Sequence, residues 1–257
     1  MRGDVNISVN GSSAQNNSYL IDGMVNRNLW LSTLIMVPTV DAIQEVRMLT
    51  SNYSAEYGSA AGAVTIVQTK SGTNQIRGFA YDYFRNDKLD ARRPIDGAKP
   101  PFRLNQFGGN ISGPVLAPKK VFGPLGGWNN SKDKLFFFFN IENNNQRGVV
   151  PVANNHPIFS QFDSAPSNPL KARQANIKFD YKHNEKHSGF LRFSTDNNDN
   201  YNTANGTFLP SNWVVTKNVS TQALGGITSV FNSKVVNDFR YSYGYYSGRL
   251  KIPTSSD

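Results

Sequence analysis

Two histidines, His183 and His187, stand four residues apart, the spacing at which a helix would aim two rings at one metal ion. The residues between them, Asn184-Glu185-Lys186, are turn formers joining two strand-like runs, so the pair reads as turn residues rather than ligands. The run Asp196-Asn197-Asn198-Asp199-Asn200 has oxygen donors at calcium-loop spacing. Tyr201, however, stands where the sharp turn needs glycine, and Thr207 where a bidentate glutamate belongs, so a solvated loop is expected. The chain has no cysteine, which excludes disulfides and thiolate chemistry. It also lacks a phosphate-cradling Gly-rich loop and a Gly-x-Ser-x-Gly nucleophile elbow. Asn-x-Ser triplets such as Asn6-Ile7-Ser8 fit glycosylation only in a eukaryotic secreted context that nothing else supports. The expectation is a non-enzyme without cofactor or metal.

What chemistry remains is that of charge. Glu45, Arg47, Glu56 and Lys70 lie in the first third of the chain, and Asp82, Lys134, Glu142 and Asp180 in the later, alternating segments. These two sets either pair across an interface or are ordinary solvated charges. The net charge of +9 is scattered, with Lys119-Lys120 and Arg92-Arg93 as doublets. That pattern fits solvated loops and a polar interior better than a nucleic-acid surface.

The elements that must position these groups change style near Asn74. Before it, short strands and turns mix. Val5 to Val9 alternates, Asn10-Gly11 is a turn dipeptide, and Tyr19-Leu20-Ile21 runs into a second turn at Asp22-Gly23. Pro38 suits a first helical turn, with Val40, Ile43 and Val46 at helical spacing, before Val46 to Thr50 turns strand-like. Small residues from Ala55 to Ala63 allow close backbone approach, Val64 to Val67 has the β-branched composition of a buried strand, and Thr69 to Asn74 stops it. A small α+β unit is expected over residues 1–74.

From Ile76 the pattern is strict alternation. Phe79, Tyr81 and Tyr83 oppose Gly78, Ala80 and Asp82, and Phe107 and Ile111 oppose Gln106, Gly108, Asn110 and Ser112. Leu135, Phe137, Phe139 and Ile141 oppose Phe138, Asn140 and Glu142; Ile177, Phe179 and Tyr181 oppose Lys178 and Asp180. Leu191 and Phe193 oppose Arg192 and Ser194, and Phe239, Tyr241, Tyr243 and Tyr245 oppose Asp238, Arg240 and Ser242. A seventh segment, Val219 to Phe231, alternates less cleanly. Segments of about ten residues match tilted membrane-spanning strands. Their aromatic faces suit lipid, and the charged faces suit a wet lumen and would ruin a dry core. Tight turns such as residues 183–186 against long connections such as 87–103 and 146–171 fit the same picture.

These residues carry a resemblance. The stretches NNSYLIDGMVNRN, VPTVDAIQEVRMLTSNYSAEYGSAAGAVTIVQTKSGTNQIRGFAYDYFRND, RLNQFGGNISGPV and KDKLFFFFNIE resemble, in order, the plug–barrel junction of TonB-dependent outer-membrane transporters of the Oar-like branch. The resemblance implies a mainly β fold: a partial plug domain over residues 1–74, then the first antiparallel strands of an incomplete transmembrane β-barrel over 75–257. Barrels of this kind close with about 22 strands around a plugged lumen. It further implies a piece of a longer parent, a Gram-negative outer-membrane location, contact with outer-membrane lipid, and a TonB-type energy-coupling partner acting through a segment not contained here. Asp22, Gly23, Glu45, Arg47, Glu56, Gly58, Gly62, Lys70 and Gly72 fall in the plug motifs as shaping or gating residues; Asp22, Gly23 and Gly58 are expected to need unusual backbone angles. Substrate would meet the plug tips and the connections 87–103, 123–132 and 146–171, where Trp128 and Phe159 either anchor ligand or pack their own loops. Its identity does not follow from the residues. An outer-membrane barrel with a structural or adhesive role, and a soluble β-rich binding module, are the rival readings.

Overall fold

The computed structural model describes residues 8–28, 34–58, 60–91, 99–115, 133–150, 164–201 and 212–252. They form two sheets. The first is small and mixed: β1 (Ser18–Ile21), β2 (Met24–Val25), β3 (Ile43–Leu49) and β4 (Val64–Thr69), in the order β2-β1-β4-β3. Asp22 and Gly23 have φ of 50° and 87° and link β1 to antiparallel β2 as a two-residue hairpin. Such a turn needs positive φ at both positions, which aspartate tolerates and glycine adopts freely. β1 runs parallel to β4, and β3 returns antiparallel to it. Tyr19, Ile21, Ala63 and Val64 are buried here. The helix expected after Pro38 is a single 3-10 turn, Val40–Ala42, and strand begins at Ile43. The β-branched and long side chains of β3 gain more from pairing with β4 than from one further helical turn. The strand expected at Val5 to Val9 lies largely outside the described residues.

The second sheet is a seven-stranded meander in which each strand pairs antiparallel with its sequence neighbour. Its strands are β5 (Arg77–Asn86), β6 (Phe102–Pro114), β7 (Leu135–Gly148), β8 (Leu170–Lys182), β9 (His187–Tyr201), β10 (Val215–Asn232) and β11 (Val235–Lys251). At one end, residues 183–186 and 233–234 make tight turns. At the other end the longer connections leave after Asn86, Gly148 and Tyr201. Residues 123–132 lie outside the described residues, but the strand ends they join, Pro114 and Leu135, stand at the tight-turn end. That connection therefore does not share an end with 87–103 and 146–171.

Burial is inverted relative to a water-soluble sandwich. Asn140, Glu142, Gln174, Lys178, Arg192 and Gln222 are buried on one face, beneath the small sheet. On the other, Phe107, Ile111, Phe179, Leu191, Phe193, Ile227, Phe239 and Tyr241 are exposed. A wall that hides its polar side and presents its apolar side is built for lipid outside and water inside.

One strand departs from the expected facing. The cross-strand row Phe79–Asn110–Asn140–Asn176 places Phe79 on the polar face, and with it Tyr81 and Tyr83. The Tyr81 hydroxyl donates to Glu142 Oε2 at 2.7 Å. Its ring crosses Gly108, where a Cβ would lie 2.7 Å from the Tyr81 oxygen. Alternation alone says which residues share a face; here a hydrogen bond available only inside decides which face it is.

His183 and His187 are turn residues: the His183 N–H donates to the His187 carbonyl at 3.0 Å, and the His187 ring packs edge-on against Phe231. The expected loop at Asp196 to Asn200 is instead the polar upper half of β9, with Asp196 and Asn200 on the inner face and Asn197 and Asp199 on the outer. On the inner face Asp196 and Asn200 are buried, Asp196 Oδ2 accepting from Gln174 Nε2 at 2.7 Å, while Asn197 on the outer face is exposed.

Candidate functional site: the seam between the two sheets

The small sheet meets the inner face of the wall through polar groups, and Asp22 is its hub. In the β1–β2 turn, Asp22 Oδ1 accepts from the Thr69 N–H at 2.8 Å and Oδ2 from the Thr69 hydroxyl at 2.7 Å. This clamps the hairpin to the end of β4. Arg192 of β9 reaches the same carboxylate, Nη1 to Oδ2 at 3.4 Å, with side-chain exposures of 1% and 7%. Arg192 Nη2 donates to Gln222 Oε1 at 3.1 Å, and Gln222 Nε2 donates to Asn26 Oδ1 at 2.7 Å. Asn26 in turn bridges both backbone groups of Met36. The chain of contacts runs from Asn26, just past β2, to β10 and back through β9 to β4, by side chains that are buried at nearly every step.

Further contacts extend the seam. The Thr39 hydroxyl donates to Asn140 Oδ1 at 2.7 Å, Gln174 Nε2 donates to the Val37 carbonyl, and Lys178 Nζ donates to the Thr69 carbonyl at 3.4 Å. Arg240 Nη1 donates to the Asp22 carbonyl at 3.2 Å and fills the space a Cβ on Gly23 would occupy. Beside these lies a cavity of about 1020 Å³, lined among others by Arg47, Glu56, Tyr57, Lys178 and Arg240.

The residues singled out from the sequence divide as follows. Asp22 and Gly23 are in the seam. Gly62 makes room for the Asn17 side chain, whose Oδ1 accepts from the Ala63 N–H at 2.9 Å. Gly72 lies against the backbone of Gly113 and Phe137, so the chain entering the wall tolerates no side chain there. Gly58 has φ of −61°, an ordinary helical angle and not the unusual one expected. Lys70 is held through its backbone, its N–H donating to the Ala42 carbonyl at 2.9 Å.

The expected charge pairs across the interface are not those formed. Glu45 pairs with Arg47 on its own strand, and that carboxylate raises the Arg47 guanidinium above its ordinary value, first by hydrogen bonding and then by charge. Glu56 acts on the neighbouring Tyr57, raising its phenol chiefly by hydrogen bonding. Asp82 accepts from Asn105, Glu142 from Tyr81, and Asp180 pairs with Lys178 at 3.7 Å. Lys134 contributes its carbonyl to Lys182. Two charges one turn of strand apart meet more readily than two on separate sheets. Among the described residues, the ion pair joining the sheets is Asp22–Arg192.

Arg192, Gln222, Asn26 and Thr69 were not picked out by sequence. Arg192 had a signal: an arginine between Leu191 and Phe193 in a membrane-length strand is costly unless it serves inside. Gln222, Asn26 and Thr69 had none, being polar residues among many.

Comparison with known proteins places this geometry. The family model described as "Outer membrane beta barrel domain" matches residues 68–158 and 148–257. The TonB-dependent transporter Oar of Myxococcus xanthus is 26% identical over 140 residues, covering 51% of this chain and 12% of that protein. Among solved structures, the outer membrane transporter YddB from Escherichia coli aligns with a TM-score of 0.70 and 14% identity, over 96% of this chain and 33% of that one. The siderophore receptor PirA from Pseudomonas aeruginosa aligns with a TM-score of 0.62 and 12% identity, over 97% and 36%. The chain thus spans about an eighth of the Oar relative and about a third of each of these structures.

Proposed function

Since this chain belongs to the outer membrane beta barrel family and is kin to TonB-dependent receptors of the Gram-negative outer membrane, we propose that its small sheet is the plug of an energised uptake barrel. On this reading residues 1–74 are most of the plug and residues 75–257 open the wall. The long connections after Asn86, Gly148 and Tyr201 face outward, toward a substrate that the whole parent protein would admit. A TonB-type partner would pull from the periplasmic side.

The observation carrying this reading is the buried polar seam around Asp22 and Arg192. A plug must be held, yet movable. A dry apolar interface of the same size would lose transfer free energy over its whole area when shifted. Hydrogen bonds can instead be exchanged for water, at a net ~0.5–1.5 kcal/mol each. The seam can therefore open contact by contact as water enters. The buried ion pair is the exception, since separating it exposes two charges at once.

The test is conductance of the whole parent protein in a planar bilayer, with and without residues 8–72. Closed, low-conductance insertions that become large and open on deletion are the expected result. Equal conductance for both would refute a plugging role and favour a structural barrel.

A further inference from the structure

Three aromatic side chains of β5 face the inside of a wall whose inner face is mostly polar. Phe79, Tyr81 and Tyr83 alternate along the strand, with ring centroids 5.9 Å apart for the first pair and 5.2 Å for the second. The ladder climbs toward Asn86, where a long connection leaves. Tyr81 is engaged through its hydroxyl with Glu142, but Phe79 is 48% exposed and Tyr83 60%. The alternation that turns Tyr81 inward turns positions 79 and 83 with it, yet nothing in that contact requires rings there.

Amide side chains line the ladder on the side of β6 and β7. By direct pairing Phe79 stands beside Asn110, and Tyr83 beside Gln106 and then Asn144. Among the described residues, Asn110 Nδ2 and Asn144 Oδ1 are shut off from water without a hydrogen-bond partner, a state that costs stability until a partner arrives. One is a donor and the other an acceptor. At the height of Tyr81 the charged groups are carboxylates: Glu142, and Asp41 of the 3-10 turn Val40–Ala42, which acts on the same phenol. Further out, Arg85 is taken up by Asp90 at 2.7 Å and stands 4.9 Å from the Phe102 ring centroid. At the inner end Arg77 donates to Gln75 Oε1 at 2.7 Å.

We infer that this ladder is a stacking rail for a neutral oligosaccharide, the substrate class of the uptake role proposed above, on which the assignment rests. A sugar ring offers the C–H bonds of its flat face to an aromatic ring, while its hydroxyls, each both donor and acceptor, reach sideways to amides. Rings repeated at near-equal steps along a strand suit a ligand that is itself a chain of rings, because each unit can pass from one to the next. A catechol-type iron chelate would stack as well, but it is anionic, and the carboxylates at Tyr81 repel it. A lone organic cation would be drawn to Glu142 and Asp41, yet it favours an enclosing cage of rings over an open row.

The experiment uses the whole parent protein in detergent and titrates maltohexaose, cellohexaose and mannohexaose by calorimetry. At least one should bind, and an oligogalacturonate of the same length, which carries carboxylates, should bind about tenfold more weakly or worse. Y83A should weaken the neutral ligand about tenfold, whereas Y83F should stay within about twofold of the parent. N144L should weaken it about fivefold. Y243A, which removes an exposed ring from the lipid-facing side, should bind as the parent does. Binding of none of the three sugars, equal binding by Y83A, or equal or tighter binding of the oligogalacturonate overturns the proposal. Heat-modifiable electrophoretic mobility reports whether each variant is folded, and if Y83A is not, the neutral and acidic sugars on the parent decide. Sugar binding with conductance unchanged on deletion of residues 8–72 would keep the rail and refute the plug. Plugging without sugar binding would keep the plug and refute the substrate class.

Discussion

Asp22 and Arg192, 170 residues apart in the chain, form an ion pair from which water is all but excluded, one side chain on a turn of the small sheet and the other in mid-wall. A buried pair contributes little net stability when intact but is expensive to halve. D22N or R192Q alone should loosen the small sheet by about 3 kcal/mol. The double variant should lose much less than the sum of the two. Protease accessibility of residues 8–72 in the whole parent protein, followed against urea, measures both. Additive single effects would show that the two residues act independently.

A tether across the seam should lock it. Thr39 and Asn140 are hydrogen-bonded at 2.7 Å, and the chain has no cysteine to compete. T39C/N140C should form a disulfide on oxidation and, on the proposed plug role, hold the small sheet against the wall. The check is labelling of a third cysteine at Ser71 in cells with and without the coupling protein. Labelling should require the coupling protein and a reductant together.

The Tyr81–Gly108–Glu142 stack should set the register at the first hairpin of the wall. A Cβ at Gly108 would come within 2.7 Å of the Tyr81 oxygen and close to the Ile141 carbonyl. G108V should therefore destabilise the wall by about 1–3 kcal/mol through overpacking. Y81F, which leaves Glu142 with one donor fewer, should cost about 1–3 kcal/mol as well. Urea midpoints of refolding into lipid vesicles read both. A G108V midpoint equal to the parent's would contradict the close packing.

Position relative to the lipid can be read by moving one arginine along the outer face. Leu191→Arg sits within the apolar band and should cost about 2–4 kcal/mol of insertion free energy, whereas Asn197→Arg, beyond the band, should cost about 0–1. Equal costs at the two positions would place the hydrocarbon boundary elsewhere.

Much of the fold was legible because β periodicity is a local signal. Seven alternating segments gave seven strands, and Val219 to Phe231, with its paired glycines, proved to be most of β10. What could not be read was anything set by a partner distant in sequence. Tyr81 was expected to face lipid because aromatics do so on the other strands, yet Glu142 two strands away draws it inward. For Glu45 and Arg47 the residues left open pairing across an interface or an ordinary surface role, and the two exposed side chains pair with each other two residues apart. Asp22 was recognisable as a turn residue, but the conformation that makes the turn also aims its carboxylate at Thr69 and Arg192. That second role depends on the docking of two sheets and leaves no mark on local spacing.

The strand order β2-β1-β4-β3 also defines a load path. β1 is held in parallel register to β4 by four consecutive pairs, Ser18↔Val64 through Ile21↔Val67. Tension on the chain ahead of Ser18, directed along the strand, strains those pairs together in shear rather than peeling them one at a time. Part of the force passes into β4, which ends at Thr69, and part runs along β1 into the Asp22 turn. At Thr69 the chain meets Asp22 and Lys178, and through Asp22 it meets Arg192 of the wall. On the proposed plug role, a pull entering at Ser18 would be delivered to the contacts of Asp22 and Thr69 with Arg192 and Lys178 that join the small sheet to the wall.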